Sequence, residues 1–371
     1  MSDPPADGAA LASARLAIDL AALVANWRRI VTEVGDAKRV SAVVKADGYG
    51  IGDAAAAEAL ARAGCRTFFV GLPEEGVRVR AAAPDADIYI LAGLIPDSGA
   101  ALAAHRLRPV LGSPAEVAAW LAARRNGLSA SAAIHVDTGM NRLGLSLAEA
   151  HTLAADSSAI AVLAPTLLVS HLACADTPGH PLNARQLTAF GEARALFSGV
   201  PTSFANSAGV FLGREYHGDV VRPGIALYGA AFAEGRPPLA TVVTAEARVL
   251  RIRNAASGDT VGYGATQTLG APKRLAILGV GYADGYHRAA SSRDGHPGAR
   301  VWLRGRYAPL VGRVSMDLMA IDVTDVPDAR EGDWAELFGP NVPVDEVAAH
   351  AGTIGYELLT QLGRRYARRY V

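Results

Sequence analysis

Lysine is almost missing from this sequence. Of its 36 Lys and Arg residues only Lys38, Lys45 and Lys273 are lysines, so each one invites a reason. Cysteine is as scarce: Cys65 and Cys174 alone cannot build a disulfide framework, and two thiols suit a reducing compartment. Net charge is absent too, since 36 basic residues balance 36 acidic ones, which leaves no general field for nucleic acid or an anionic membrane. No apolar run approaches the ~18 residues that span a bilayer. The opening Met-Ser-Asp-Pro-Pro-Ala-Asp-Gly lacks the basic and apolar regions of a secretory signal. There is no Walker A loop, no dinucleotide fingerprint and no internal repeat. The expectation is a cytoplasmic protein that binds neither nucleic acid nor membrane.

What is present is apolar bulk. Half of the 371 residues are hydrophobic and 19% are charged, enough for two domains or a barrel with an addition. From Ala14 to Tyr228 short apolar runs alternate with helical patterns. Arg39–Lys45, Thr67–Gly71, Asp87–Leu91, Arg108–Leu111, Ser131–Asp137, Leu163–His171, Thr202–Ala205 and Asp219–Val221 read as strands. Helices fall between them, with Asp19, Asp53 and Pro114 at their starts and Gly64 at a stop. Eight such units predict an α/β fold, a (β/α)8 TIM-type barrel over residues 14–238. After Gly229 the texture becomes strand and turn, at Leu239–Arg253, Thr260–Tyr263, Arg274–Gly281, Val301–Leu303, Tyr307–Val311, Leu318–Val323 and Trp334–Phe338. Residues 239–371 therefore read as a mostly-β C-terminal domain, with short helices at Val344–His350 and from Tyr356.

Polar residues gather where barrel strands end, the end that carries active sites in such barrels. Lys45 closes one strand and His171 another. Asn206-Ser207 follows the seventh, Arg222-Pro223-Gly224-Ile225 the eighth, and Asp137-Thr138-Gly139-Met140-Asn141-Arg142 the fifth. A lysine behind four small or apolar residues is partly desolvated, which favours the neutral amine and suits Schiff-base chemistry. The same position also suits a snorkelling or salt-bridged lysine, and rarity alone does not separate the two. Small residues with free N–H groups at strands seven and eight suit a phosphate, although singly they are ordinary turns. His171, Cys174 and His180 have no metal-ligand spacing, so no metal is expected.

These residues lie in motifs that closely resemble the alanine racemase family. They are Val43-Val44-Lys45-Ala46-Asp47-Gly48-Tyr49-Gly50, Asp137-Thr138-Gly139-Met140-Asn141-Arg142-Leu143-Gly144, Ser170-His171, Asn206-Ser207 and Arg222-Pro223-Gly224-Ile225. Gly262-Tyr263-Gly264, Gly281-Tyr282-Ala283-Asp284-Gly285, Met316-Asp317 and Tyr356-Glu357 carry the resemblance to the C-terminal part. The resemblance implies a pyridoxal 5′-phosphate enzyme that interconverts L- and D-alanine for cell-wall peptidoglycan. It implies a homodimer with shared active sites. Lys45 would hold the cofactor covalently, with Tyr49, Asn206, Ser207, Gly224, Ile225 and Tyr356 around its phosphate. Arg222 would face the pyridine nitrogen, His171 would lie against the ring, and Arg142 would meet its phenolic oxygen. Lys45 and the partner's Tyr263 would be the two bases, and Arg142, Met316, Asp317 and Tyr282 would line the substrate.

Two positions depart from the family. His135 stands where many members carry a carbamylated lysine that orients the arginine, which predicts looser positioning of Arg142. Ser315 replaces a common cysteine before Met316. Cys174 falls either at the site entrance or in the interior. A broader-specificity racemase and a non-catalytic cofactor-binding barrel remain alternatives. The C-terminal domain with Tyr263 argues against the latter. Arg222 argues against a related barrel decarboxylase, which places an acid at that position.

Overall fold

A computed structural model describes residues 11–371, so the opening residues weighed above for a secretory signal lie outside the described residues. Contacts divide the chain into two units. One comprises Leu23–Leu227 and Ala231–Leu239; the other comprises the chain up to Ala22, Tyr228–Ala230 and Ala240–Val371.

The first strand, β1 (Ala14–Ile18), falls within the stretch read as barrel but belongs to the β-rich unit. Its neighbours are β9 (Val243–Ala255), antiparallel, and β15 (Ala367–Tyr370), parallel. The burial pattern explains the difference. Ala14, Leu16 and Ile18 are buried while Arg15 between them is exposed, the alternation of a sheet with one covered face. Following it with the helix Leu20–Val34 only mimics a βα unit at the level of sequence.

Strands buried along most of their length build the other unit. They are β2 (Ala42–Val43), β3 (Thr67–Val70), β4 (Asp87–Ile90), β5 (Leu107–Leu111), β6 (Ala133–His135), β7 (Leu168–Val169) and β8 (Thr202–Ser203). Each pairs in parallel with the next. The expected eighth strand is reduced to a bridge between Val221 and Val40, yet it closes the ring. Val221 N–H donates to Arg39 O at 2.8 Å, and Arg222 N–H donates to Ala205 O at 2.8 Å. The helices between strands start as their sequences predict. Asp53–Ala63 stops at Gly64, whose φ of 111° only glycine adopts freely, and Pro114 occupies the first turn of Pro114–Arg125. The expected strand Leu163–His171 shrinks to β7, because Asp156 caps a helix over Ser157–Leu163.

In the β-rich unit the thirteen-residue β9 is the common partner. One sheet runs β12 (Arg306–Pro309), β11 (Arg300–Leu303), β14 (Trp334–Phe338), β9, β1, β15, and β10 (Lys273–Leu278) joins β9 to β13 (Met319–Asp322). The expected strand Thr260–Tyr263 is not one. Thr260 makes a single bridge with Thr268, and Tyr263–Ala265 forms a 3-10 turn. Short helices follow at Val344–His350 and Gly355–Thr360.

Candidate active site

Lys45 leaves β2 directly into a left-handed turn. Ala46, Asp47 and Tyr49 have φ of 54°, 54° and 52°, with Gly48 between them at 61°. Three non-glycine residues in this region cost ~1–2 kcal/mol each, so the turn exists only because its surroundings impose it. Gly50 N–H closes it onto Ala46 O at 2.9 Å. The Lys45 amine is held below the usual lysine range by burial first and by the Arg142 guanidinium second, while the Glu75 carboxylate acts in the opposite sense.

Arg222, almost wholly buried, stands at the centre of the strand ends. Its Nη1 donates to Ser203 Oγ; its Nη2 donates to Ser170 O and, at 3.2 Å, to His171 Nδ1. Desolvation pulls the guanidinium down to about 9. Because Arg222 supplies a proton to Nδ1, the His171 ring carries its own hydrogen on Nε2. His171 is pushed well below the ordinary imidazole range by burial and then by Arg222, so it is neutral at pH 7. His135, at the end of β6, follows it down to about 4 by burial and the same guanidinium. Among the described residues no hydrogen bond joins the His135 ring to Arg142, which is exposed.

The loop that carries Arg142 is tied by Asp137, whose carboxylate accepts the N–H groups of Gly139, Met140 and Asn141 at 2.8–2.9 Å. Gly144 seals it, since a Cβ there would stand 2.6 Å from Asp137 N. Opposite, Ser207 Oγ accepts from Gly224 N–H at 2.9 Å and Ala226 N–H at 3.3 Å, which leaves its own hydrogen for an anion. Asn206 caps the next turn through Gly209 N–H, Ile225 is buried, and His180 caps its helix through Leu182 N–H. Tyr49 is buried against Gly224, where a Cβ would meet its Oη at 2.3 Å. Cys174 is partly exposed and Cys65 is buried.

These groups fit pyridoxal phosphate. The cluster offers an amine whose protonation is disfavoured by burial and Arg142, guanidinium and hydroxyl donors, and a glycine-floored cradle. Among the described residues the Arg222 Nε–H meets no protein acceptor, which leaves one donor for a ring nitrogen.

The remaining expected residues, Tyr263, Tyr282, Met316, Asp317 and Tyr356, belong to the β-rich unit. Tyr263 is 73% exposed, in a Gly262–Gly264 turn packed on Arg313. Tyr282 N–H donates to Ser315 O and Ala283 N–H to Met316 O, so these two loops are one structure. Gly281 permits that approach, since a Cβ there would stand 2.2 Å from Ser315 O. Arg365 clamps both loops, forking onto buried Asp284 at 2.6 and 2.8 Å and reaching Asp317 at 2.6 Å.

Three positioning groups escaped sequence reasoning. Gln186 is fully buried, accepts Ala173 N–H and donates to His171 O and Thr138 Oγ1. Ser203 holds Arg222. Glu75 accepts the Ala46 N–H. Only Glu75 left a trace in the sequence, discussed below.

Residues 18–231 match the alanine racemase N-terminal domain family and residues 242–370 the alanine racemase C-terminal domain family. An alanine racemase of Rhizobium meliloti (strain 1021) is 51% identical over 369 residues, covering 97% of each chain. A biosynthetic alanine racemase of Agrobacterium fabrum is 47% identical, over 100% of this chain and 96% of that one. Among solved structures, alanine racemase from Bartonella henselae with covalently bound pyridoxal phosphate superposes with a TM-score of 0.91 at 38% identity, covering 97% of this chain and all of that one.

Proposed function

The chain belongs to the alanine racemase family, and on that premise we propose that Lys45 and Tyr263 are the two bases of its reaction. It is a pyridoxal-phosphate-dependent isomerase that interconverts L- and D-alanine. Once bound, the cofactor spreads the negative charge left when the Cα proton is removed. The protein does the rest by position and proton traffic. Lys45 holds the cofactor covalently and its amine serves one face of Cα; Tyr263 of the partner subunit serves the other. Arg222 would serve the pyridine nitrogen as a donor, which would keep that nitrogen free of a proton of its own. His171 lies against the ring as a neutral imidazole. Arg142 meets the phenolic oxygen and the substrate. Tyr49, Asn206, Ser207, Gly224, Ile225 and Tyr356 hold the phosphate, and Met316, Asp317 and Tyr282 line the substrate.

The observation that carries this reading is the buried Lys45 amine at the end of β2, brought together with Arg142, His171 and Arg222. The shared site rests on the exposure of Tyr263 and Met316, 73% and 53%, in loops otherwise tightly built. On this reading the barrel part carries the cofactor and the β-rich part lends residues to the other copy of a homodimer. The enzyme works in the cytoplasm and supplies D-alanine for peptidoglycan.

Exchange of the Cα proton in deuterated buffer, started separately from each enantiomer, tests the two bases. Tyr263→Phe is expected to suppress exchange from one enantiomer far more than from the other, and equal suppression refutes the face assignment. Borohydride reduction is expected to fix the cofactor to Lys45.

A further inference from the structure

Glu75 stands behind the lysine turn and has no part in the chemistry assigned above. It is 9% exposed, and its two carboxylate oxygens do different things. Oε2 caps the helix Pro73–Ala82, accepting Gly71 N–H at 2.7 Å and Leu72 N–H at 3.2 Å. Oε1 reaches back across the sheet and accepts Ala46 N–H at 2.7 Å, the first amide after Lys45. That amide opens the run of left-handed residues. Gly71 gives the carboxylate room, since a Cβ there would meet Glu75 Oε2 at 3.3 Å and Lys45 Cβ at 3.6 Å.

The same construction occurs once more among the described residues of the barrel. Ser113 caps Pro114–Arg125, and Glu116 at its third position accepts Gly112 N–H at 2.6 Å through one oxygen and Leu94 N–H at 3.0 Å through the other. The local sequences match: Gly71-Leu72-Pro73-Glu74-Glu75 and Gly112-Ser113-Pro114-Ala115-Glu116. In both, an acid at the third helical position ties its own strand end to the loop after an earlier strand. At Glu116 that loop carries no functional side chain. At Glu75 it carries the lysine.

We propose that Glu75 is a positioning residue for Lys45: by holding the Ala46 N–H it imposes the left-handed turn that aims the amine at the cofactor. The inference rests on the reading of Lys45 given above. A carboxylate is needed because both oxygens must accept; a glutamine sets an NH2 group against one of the same N–H donors. Around this acid stand Arg78, which pairs with Asp53, and Asp47 in the turn itself. Around the lysine stand Arg142 and His171. Among the charged groups that act on the amine, Arg142 opposes its protonation and Glu75 favours it.

The test compares Glu75→Gln, Glu75→Asp and Glu116→Gln as holoenzymes with the parent. Four readouts apply: turnover, cofactor dissociation constant, amide exchange over residues 44–52, and the pH midpoint of the bound cofactor's visible absorbance. Glu75→Gln is expected to lower kcat by about tenfold or more with a smaller change in KM. It should open the Ala46 amide to exchange and move the midpoint to lower pH, because an anion beside the amine is lost. Glu75→Asp keeps the charge but not the reach, so it should lower kcat while the midpoint stays near the parent's. Glu116→Gln should leave kcat and the midpoint as in the parent. If Glu75→Gln matches Glu116→Gln in both, the proposal is overturned. If borohydride fails to trap Lys45 in the parent, the reading of Lys45 itself falls, a separate result. Should Glu75→Gln fail to fold, Glu75→Asp with parental kcat and exchange overturns the proposal.

Discussion

Replacing His135 by asparagine removes a titrating ring from a site that already holds Arg222 and Arg142. In the folded protein this imidazole ionises only at about 4, because burial and then Arg222 oppose its charge. In the unfolded chain it ionises near 6.5. Above pH 6.5 both states leave it neutral and it contributes no pH dependence. As pH falls from 6.5 toward 4 the unfolded chain takes up a proton that the folded protein refuses, so stability is lost across that window. The full loss is on the order of 3 kcal/mol, at ~1.36 kcal/mol per pH unit. Below 4 both states are protonated and the loss stops growing. Urea denaturation of parent and His135→Asn at fixed protein concentration, at several values between pH 7.5 and 4.5, isolates this proton. His171 remains in both proteins, and the part His135 plays in lowering it ranks below burial, Arg222, Arg142 and Lys45. The variant is expected to lose less stability than the parent on acidification, by up to the figure above. Parallel curves refute the buried, neutral His135, and a steeper loss in the variant reverses the sign.

Two further perturbations follow from packing. Gly224→Ala places a methyl group 2.3 Å from Tyr49 Oη. Thermal denaturation should show a loss of roughly 1–3 kcal/mol, with weaker cofactor retention on dialysis, and adding Tyr49→Phe should recover part of the lost stability. Arg365→Ala strands the buried Asp284 carboxylate, which is 1% exposed. It should cost roughly 3 kcal/mol in denaturant unfolding, and Arg365→Lys should rescue only partly because an ammonium cannot fork.

Much of the molecule was legible because its signals are local. Apolar runs, Gly64, Asp53 and Pro114 punctuate the barrel without help from distant residues. Lys45, His171 and Arg222 stand out as polar residues at the ends of buried strands, and they come together electrostatically as the barrel geometry requires. What escaped depends on pairings across the chain. β1 reads as the start of a βα unit until β9 and β15 claim it. The stretch Thr260–Tyr263 has strand composition, but its glycines turn Tyr263 outward into a 3-10 turn. The left-handed run after Lys45 is only partly local, since Asp47 and Gly48 tolerate that conformation but Ala46 and Tyr49 do not favour it. Its support comes from Glu75, and the recurring Gly-x-Pro-x-Glu spacing was the available clue.

The position of β1 has a consequence for the order in which the molecule is made. Residues 14–18 are made more than two hundred residues before one neighbour, β9, and longer still before the other, β15. Parallel ring strands β2–β8 are complete long before that. The opening strand therefore waits for β9 while the ring strands are made, and its pairing with β15 comes later still. The β-rich unit is thus built on pairings of long sequence separation, whereas each ring strand from β2 to β8 pairs with the next in the chain.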